Sequence, residues 1–410
     1  MSGRPVQITG MGIVSSIGHD IASFGQSLAE GRSGIKRLDW QTTPVPPVAV
    51  GAPIADFDIE AALGSDAKLA LRMARRAPFT VQTSIVAATQ AWRQAQAGEI
   101  AAERIALVVA GNNTTQNYQY SLQAAFRQNP EYLSPRYALQ FMDTNLIGAL
   151  SETFGIKGEG FTVGGASASG NVGIIQGMRL IQAGLADACL VVGVAADLSP
   201  MEIQAFYSVG AMGGRRFHDQ PEKACRPFDA AHEGFIYGQA AACVVLEAAG
   251  IRKISSLATV MGGTTALHAT ASSDPSIEGE ARAMRGALRQ AGIDALEVDY
   301  VNTHGSSSPL GDKVEIEAIE QVFSERFPQV WLNATKGLTG HCLNSAGVVE
   351  LIACVVQMQH GFIHPNMNLE TPINARARFC GGQAVRTQLR TALSNSFGFG
   401  GINTSIVLRK

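Results

Sequence analysis

The sequence predicts an α/β protein, and two observations lead to this fold class. Short apolar runs that suit buried strands alternate along the 410 residues with longer segments of helical periodicity. In residues 161–178, three β-compatible residues run into a cluster of Gly, Ala and Ser, and apolar residues at helical spacing follow. A large core is available to such a fold, because 46% of the residues are hydrophobic and only 16% are charged.

The predicted elements follow from apolar runs, helical periodicity and the Gly and Pro residues that end them. In residues 1–250 they are a strand at 6–9, a helix at 21–29 ending near Gly31, a helical region at 65–96 interrupted at Pro78, and strands at 105–110, 161–163, 188–195 and 241–247. In residues 251–410 they are a strand at 257–261, a helix at 278–291, a strand at 298–302, helices at 312–323 and 347–360, and strands at 391–399 and 404–408.

Ser167 lies where the strand at 161–163 meets the following helix. The small residues around it let the backbone approach a ligand closely, and the first helical turn offers unpaired N–H groups and the positive end of the helix dipole. A nucleophile or an oxyanion is favoured in such a place. A tight packing turn between strand and helix has the same pattern, so this stretch alone leaves both interpretations open.

Composition and motif searches exclude several other functions. A formal net charge of −2 gives no general attraction for nucleic acid or for an anionic membrane, and no uncharged apolar run reaches the roughly 18 residues that a membrane span needs. The six cysteines form no C-x-x-C pair, which favours reduced thiols in a cytoplasmic enzyme. His232 and Glu233 begin no H-E-x-x-H motif, because Ile236 occupies the closing position, and no metal site is predicted.

Two histidines and a lysine lie in loops beside predicted strands and helices. His304 follows the strand at 298–302 in YVNTHGSSSPLGDKVE, and Lys336 and His341 precede a helix in NATKGLTGHCLNSAGVVE. Each histidine alone fits a structural role. Together with Ser167 and the glycine-rich SNSFGFGG near the C-terminus, they indicate a set of loops at strand ends, where chemistry is usually located.

These motifs, with RPFDAAHEGFIYGQ, occur in the order found in the β-ketoacyl-ACP synthases (ketosynthases), and the chain resembles that family over nearly its whole length. The resemblance implies a thiolase-like fold of two βαβαβ halves in five αβαβα layers. It places the nucleophile half in residues 1–250 and the half with the two histidines in residues 251–410. It further implies a homodimer that acts on an acyl group carried by an acyl carrier protein (ACP), whose phosphopantetheine arm replaces any cofactor of the enzyme itself.

The chain departs from the family at the nucleophile. Ketosynthases carry a cysteine in a motif such as TACSSS, whereas this chain reads GGASASGN and places Ser167 there. The remaining site residues follow by resemblance from matching motif positions. They are His304, His341 and Lys336 as catalytic residues, Glu315 as the residue that commonly pairs with the lysine, and Ser306, Ser308, Phe399 and Gly400 as substrate-binding residues.

A serine at this position changes the expected chemistry. Nearby positive charge can ionise a cysteine thiol, but a serine hydroxyl needs a positioned base, so acyl transfer to Ser167 should be slow. Decarboxylation of malonyl-ACP needs only donors to the enolate oxygen, and His304 and His341 match that role. The combination is similar to the ketosynthase-like malonyl-ACP decarboxylases of polyketide β-branching, and it implies formation of acetyl-ACP without an acyl-enzyme. Lys336, acting through Glu315, would then hold the histidine loop in place.

Several alternatives stay open from the sequence. Ser167 could serve an acyltransferase, or the chain could be a non-catalytic partner subunit of a ketosynthase. A hydrolase has less support, because the G-x-S-x-G elbow fails at Ser169. Cys342 is a further, weaker nucleophile candidate.

A possible carrier-protein interface lies in the helical region at 65–96. Arg72, Arg75 and Arg76 fall at helical spacing, where related synthases present basic residues to the acidic carrier protein. A solvated helix face explains the same spacing.

Overall fold

The computed structural model of the chain describes residues 4–40 and 45–410. The first three residues of the predicted N-terminal half, and residues 41–44, lie outside the described residues. The strands, labelled β1 to β16 in chain order, are Val6–Ser15, Lys36–Arg37, Val50–Ala52, Ile105–Ala110, Gly160–Val163, Ala188–Gly193, Tyr237–Gly238, Ala240–Ala248, Ala258–Leu267, Tyr300–Asn302, Trp331–Asn333, Phe362–Ile363, Arg378–Phe379, Val385–Arg386, Thr391–Gly398 and Ile402–Arg409. The helices, α1 to α13, are Ile21–Glu30, Ile59–Leu63, Lys68–Ala74, Phe79–Ala95, Gln116–Gln128, Tyr137–Gln140, Thr144–Phe154, Ser169–Gln182, Pro200–Ser208, Ile277–Ala291, Pro309–Phe323, Lys336–Thr339 and Ala346–His360.

A mixed sheet of eleven strands forms the centre of the molecule. Its order is β13-β11-β10-β15-β16-β9-β1-β8-β6-β4-β5. In this sheet, the strands that precede residue 250 meet those that follow it where three residues of β1 pair with three of β9 in antiparallel register. Every residue of β4 and of β6 is buried, which explains why both segments are continuous apolar runs in the sequence.

Helices cover both faces of each part of the sheet, so the chain forms the expected five layers. α4 packs on β1 and β8 from outside, and α10 packs on β9 and β16 from outside. Between the two parts lie α8 and α13, which contact each other and strands of both parts. This arrangement confirms the predicted α/β, thiolase-like architecture.

Local sequence signals set several of the helix ends. Asp20 caps α1 by accepting a hydrogen bond from the backbone N–H of Ser23. α1 ends at Gly31, whose φ of 68° lies in the left-handed region that glycine adopts without strain. Pro78 separates α3 from α4, as predicted, because it can precede a helix but cannot donate within one.

The cysteines, the helix compositions and the placement of possible metal ligands describe the chemical setting of the fold. All six cysteines are free and buried. Across residues 4–40 and 45–410, no helix combines the length and apolar composition needed to cross a bilayer. In the same ranges, no group of three or more His, Cys, Asp and Glu side chains is placed to hold a metal ion.

Candidate active site

A cavity of about 470 Å³ brings most of the predicted site residues together. Ser167, His304 and His341 line it from three different loops, although they are far apart in the sequence. The other predicted residues that line it are Ser306, Ser308 and Phe399. The cavity is therefore the candidate active site.

The Ser167 turn is held in an unusual backbone conformation. β5 ends at Val163, a short 3₁₀ turn covers Ala166–Ala168, and α8 begins at Ser169, which confirms the predicted strand-to-helix junction. Ala166 has a φ of 49°, a strained value for a residue with a Cβ. The turn is fixed from the other half of the chain, because Ser396 Oγ donates to the Ser167 carbonyl at 3.0 Å. A Cβ on Gly398 would lie 2.3 Å from the Gly165 carbonyl oxygen, so only glycine permits this contact.

His341 is fixed so that one ring nitrogen faces the protein. Its backbone N–H donates to the Ile236 carbonyl, and its own carbonyl accepts from Gly238 N–H at 3.1 Å. Its ring nitrogen Nδ1 accepts from the backbone N–H of Leu343 at 3.2 Å. An acceptor at Nδ1 carries no proton, and this assigns the proton of the neutral ring to Nε2.

Lys336 fixes the same tautomer in the His304 ring. Lys336 Nζ lies 3.3 Å from His304 Nδ1 and also donates to the His304 carbonyl. Because an ammonium group can only donate, Nδ1 must accept, and the ring proton is again assigned to Nε2. The two imidazoles meet edge to face with 5.3 Å between their centroids. Within residues 4–40 and 45–410, no group pairs with Nε2 of either ring, so both rings keep an Nε2–H donor.

The electrostatic environment keeps both rings uncharged. Burial, the positive charge of Lys336 and the neighbouring His341 hold the pKa of His304 well below its ordinary 6.5. Burial and then Lys336 lower the pKa of His341 in the same way. At neutral pH the cavity thus presents two neutral hydrogen-bond donors close to each other.

The prediction that Lys336 pairs with Glu315 is wrong. Lys336, which is 1% exposed, pairs with the carboxylate of Glu350 in α13 and not with Glu315. Glu315 instead accepts from the backbone N–H groups of His304 and Gly305, each at 2.7 Å. It therefore fixes the histidine loop directly through the backbone, while Glu350 positions the lysine. Burial raises the pKa of each carboxyl to about 7.

The substrate-binding residues implied by resemblance divide into two groups. Ser306, Ser308 and Phe399 face the cavity, and the Phe399 side chain is 40% exposed beside Phe206, with 6.4 Å between the ring centroids. Among the described residues, those lining the cavity do not include Gly400. Gly400 lies in the β15–β16 turn at a φ of 79°, in the left-handed region that glycine adopts without strain.

Two polar side chains that the sequence did not single out line the same cavity as Ser167. Asn112 and Asn344 line the same cavity. The Asn112 side chain lies over Gly164, within 2.7 Å of where a Cβ would stand, and the Asn344 side chain lies 3.3 Å from the equivalent point on Gly111. The wall of the cavity therefore carries two amide side chains, of which Asn112 is exposed and Asn344 is half-buried.

Cys342 is ruled out as a displaced nucleophile. It is 1% exposed, and burial raises the pKa of its thiol to about 12. A buried thiol with so high a pKa carries no useful thiolate at neutral pH.

The three arginines proposed for the carrier interface lie away from the catalytic cavity. α3 ends at Ala74, so Arg75 and Arg76 lie just beyond the helix on which one face was predicted. Arg72, Arg75 and Arg76 nevertheless line one surface cleft together with Lys68 and Arg136. Arg72 pairs with Glu152 at 3.0 Å and Arg75 with Glu60 at 2.8 Å, and both pairs are exposed.

Comparisons with known proteins agree with this geometry. Residues 3–250 match the β-ketoacyl synthase N-terminal domain and residues 257–370 match the C-terminal domain. The chain is 35% identical to the polyketide biosynthesis malonyl-ACP decarboxylase PksF of Bacillus subtilis (strain 168), over 98% of this chain and 96% of that protein. It is 32% identical to 3-oxoacyl-[acyl-carrier-protein] synthase 2 of Coxiella burnetii (strain RSA 493 / Nine Mile phase I), over 100% of this chain and 99% of that protein. The crystal structure of a β-ketoacyl synthase from Burkholderia phymatum STM815 is similar with a TM-score of 0.86 and 26% identity, over 99% of both chains.

Proposed function

This chain belongs to the β-ketoacyl synthase family of ketosynthase-type enzymes, and from that premise we propose that it converts malonyl-ACP to acetyl-ACP. The observation that carries the proposal is the pair of neutral imidazoles, His304 and His341, with both Nδ1 atoms occupied and both Nε2–H donors available. Two such donors can hold the thioester oxygen of a malonyl group. The relative from Bacillus subtilis, named as a malonyl-ACP decarboxylase, supports the same activity.

The proposed reaction is a heterolytic loss of CO2. The bond between the α-carbon and the carboxylate breaks, and its electron pair moves toward the thioester carbonyl, so that negative charge collects on the carbonyl oxygen. The Nε2–H groups of His304 and His341 stabilise that enolate, and a proton from water then adds to the α-carbon to give the acetyl thioester. Removing one preorganised donor of this kind costs about 3–4 kcal/mol of barrier in other enzymes, so two donors supply a large acceleration.

The surroundings of Ser167 argue against a covalent role for it. Across the described residues, no hydrogen bond joins its hydroxyl to either histidine, and a serine nucleophile needs such a base. The lack of such a base favours a reaction that forms no acyl-enzyme at Ser167.

The proposed partners are a malonyl-bearing ACP and a second copy of the chain. The cleft with Arg72, Arg75 and Arg76 gives an acidic carrier protein a basic surface, and the carrier supplies the phosphopantetheine arm, so that no cofactor of the enzyme is needed. A homodimer is supported by α5, none of whose residues is buried, and by β5 at the edge of the sheet. Exposed apolar side chains of the same region are Phe126, Tyr132, Leu139, Phe141 and Met142.

The proposed setting is the β-branching of a polyketide in the cytoplasm. Acetyl-ACP is the product that an enzyme resembling hydroxymethylglutaryl-CoA synthase would consume in such a system. The free state of all six cysteines supports a reducing compartment.

A competition experiment separates this proposal from synthase activity. The protein is offered hexanoyl-ACP and malonyl-ACP together, and the carrier-bound products are resolved by mass. The proposal predicts acetyl-ACP with the hexanoyl-ACP left intact. Appearance of a 3-oxooctanoyl carrier would show condensation and would overturn the proposal.

A further inference from the structure

A buried carboxyl in the cavity wall has no part in the mechanism above. Glu280, in the first turns of α10, is 1% exposed and yet lines the same cavity as the two histidines. Its Oε2 atom is buried without a hydrogen-bond partner. In the described part of the chain, the Glu280 side chain makes no hydrogen bond. A buried polar atom without a partner is costly, so a ligand that supplies one is expected.

The turn of α10 that carries Glu280 lies beside other polar residues of the cavity wall. A Cβ on the preceding Gly279 would stand 2.9 Å from Asn403 Nδ2, so this turn of α10 lies against Asn403. Ser306 and Ser308 lie beside Gly311 at the start of α11. Their hydroxyl oxygens are 3.3 and 3.4 Å from the point where a Cβ on Gly311 would lie. All of these side chains face the cavity.

Burial and the charges around Glu280 favour the protonated form of its carboxyl. Burial, followed by the nearby carboxyls of Glu315 and Asp312, raises the pKa of Glu280 well above its ordinary value. A neutral carboxyl has one O–H donor and free acceptor positions. It therefore suits a neutral ligand that both donates and accepts.

We propose that the Glu280 carboxyl hydrogen-bonds an amide of the pantetheine arm that carries the substrate. This inference rests on the proposed function, since it takes the occupant of the cavity to be a carrier-bound thioester. The arm contains two secondary amides, and each loses its water on entering a buried channel. Ser306 and Ser308 supply hydroxyls to the same cavity, and Glu280 adds the group that can either donate to an amide carbonyl or accept from its N–H.

The experiment measures binding of S-acetylpantetheine by NMR titration to the wild-type protein and three variants. Glu280→Ala removes the carboxyl and should weaken binding about 2- to 12-fold, the range expected for one neutral hydrogen bond. Glu280→Gln keeps the shape, a donor and an acceptor, and should bind as the wild type does. Glu278→Ala is the matched control, because Glu278 is an exposed acidic residue of the same helix.

Two results would overturn the inference. One is wild-type affinity in Glu280→Ala, and the other is an equal loss in Glu280→Ala and Glu278→Ala, which would show that the loss does not come from the cavity residue. S-acetylpantetheine has no carboxylate to lose, so the measurement does not depend on turnover. A protein that binds it through Glu280 but leaves malonyl-ACP unchanged would contradict the proposed function alone.

Discussion

Replacing His341 by alanine tests whether the histidine pair carries the chemistry. The substitution removes one Nε2–H donor from the cavity and leaves His304, Lys336 and Ser167 in place. His341 is 3% exposed and its backbone is fixed on both sides, so the donor is preorganised and shielded from water. Loss of a single donor in such a setting costs about 3–4 kcal/mol of transition-state stabilisation. At about 1.4 kcal/mol for each factor of ten, kcat should fall by about 100- to 1000-fold.

The matched control is Ser167→Ala. If Ser167 forms no covalent intermediate, removal of its hydroxyl should change kcat by no more than about twofold, the range of a substitution that breaks no required contact. The assay follows the conversion of malonyl-ACP to acetyl-ACP by mass at saturating carrier. The reasoning is refuted if Ser167→Ala loses as much activity as His341→Ala, because the hydroxyl would then be part of the chemistry.

Three further predictions concern the support of the site and its partner. Lys336→Met should lower the free energy of unfolding by about 3–5 kcal/mol, because it leaves the Glu350 carboxylate buried without its partner, and adding Glu350→Leu should restore most of that loss in urea denaturation. The double variant Arg75→Glu with Arg76→Glu should raise KM for malonyl-ACP and spare kcat, and an unchanged KM would remove these residues from the carrier interface. The folded protein keeps the lowered pKa of His341 while the unfolded chain titrates near 6.5, so stability should fall as the pH drops below 6.5, by about 1.4 kcal/mol per pH unit for that histidine. His341→Gln should remove this contribution from the slope measured between pH 5 and 6, and an unchanged slope would show that the ring is not held neutral.

The elements that depend on local pattern were predictable from the sequence. The strand at 105–110 has the predicted bounds, because an unbroken apolar run suits a strand buried on both faces. The helix break at Pro78 and the end of α1 at Gly31 follow from backbone chemistry that a single residue decides. The strand-to-helix turn at Ser167 was visible for the same reason.

The contacts between distant segments were not predictable in the same way. The family pattern suggested Glu315 as the partner of Lys336, but the fold brings α13 to the lysine and pairs it with Glu350. A signal was present, because Glu350 is the one acidic residue of a helix that is otherwise almost wholly apolar, and a buried carboxylate requires a partner. Glu280 gave no such signal, since acidic residues near a helix N-terminus are ordinary and its burial depends on the packing of α10 against β16.

The most direct test of the account is intact-protein mass spectrometry of malonyl-ACP mixed with this protein, with both partners measured in the same sample. The account predicts that the carrier loses CO2, that the enzyme keeps its unmodified mass throughout, and that His304→Ala makes the conversion slow. An acyl group on Ser167 would contradict it in favour of an acyltransferase. A carrier and an enzyme that both keep their masses would contradict it in favour of a non-catalytic partner subunit.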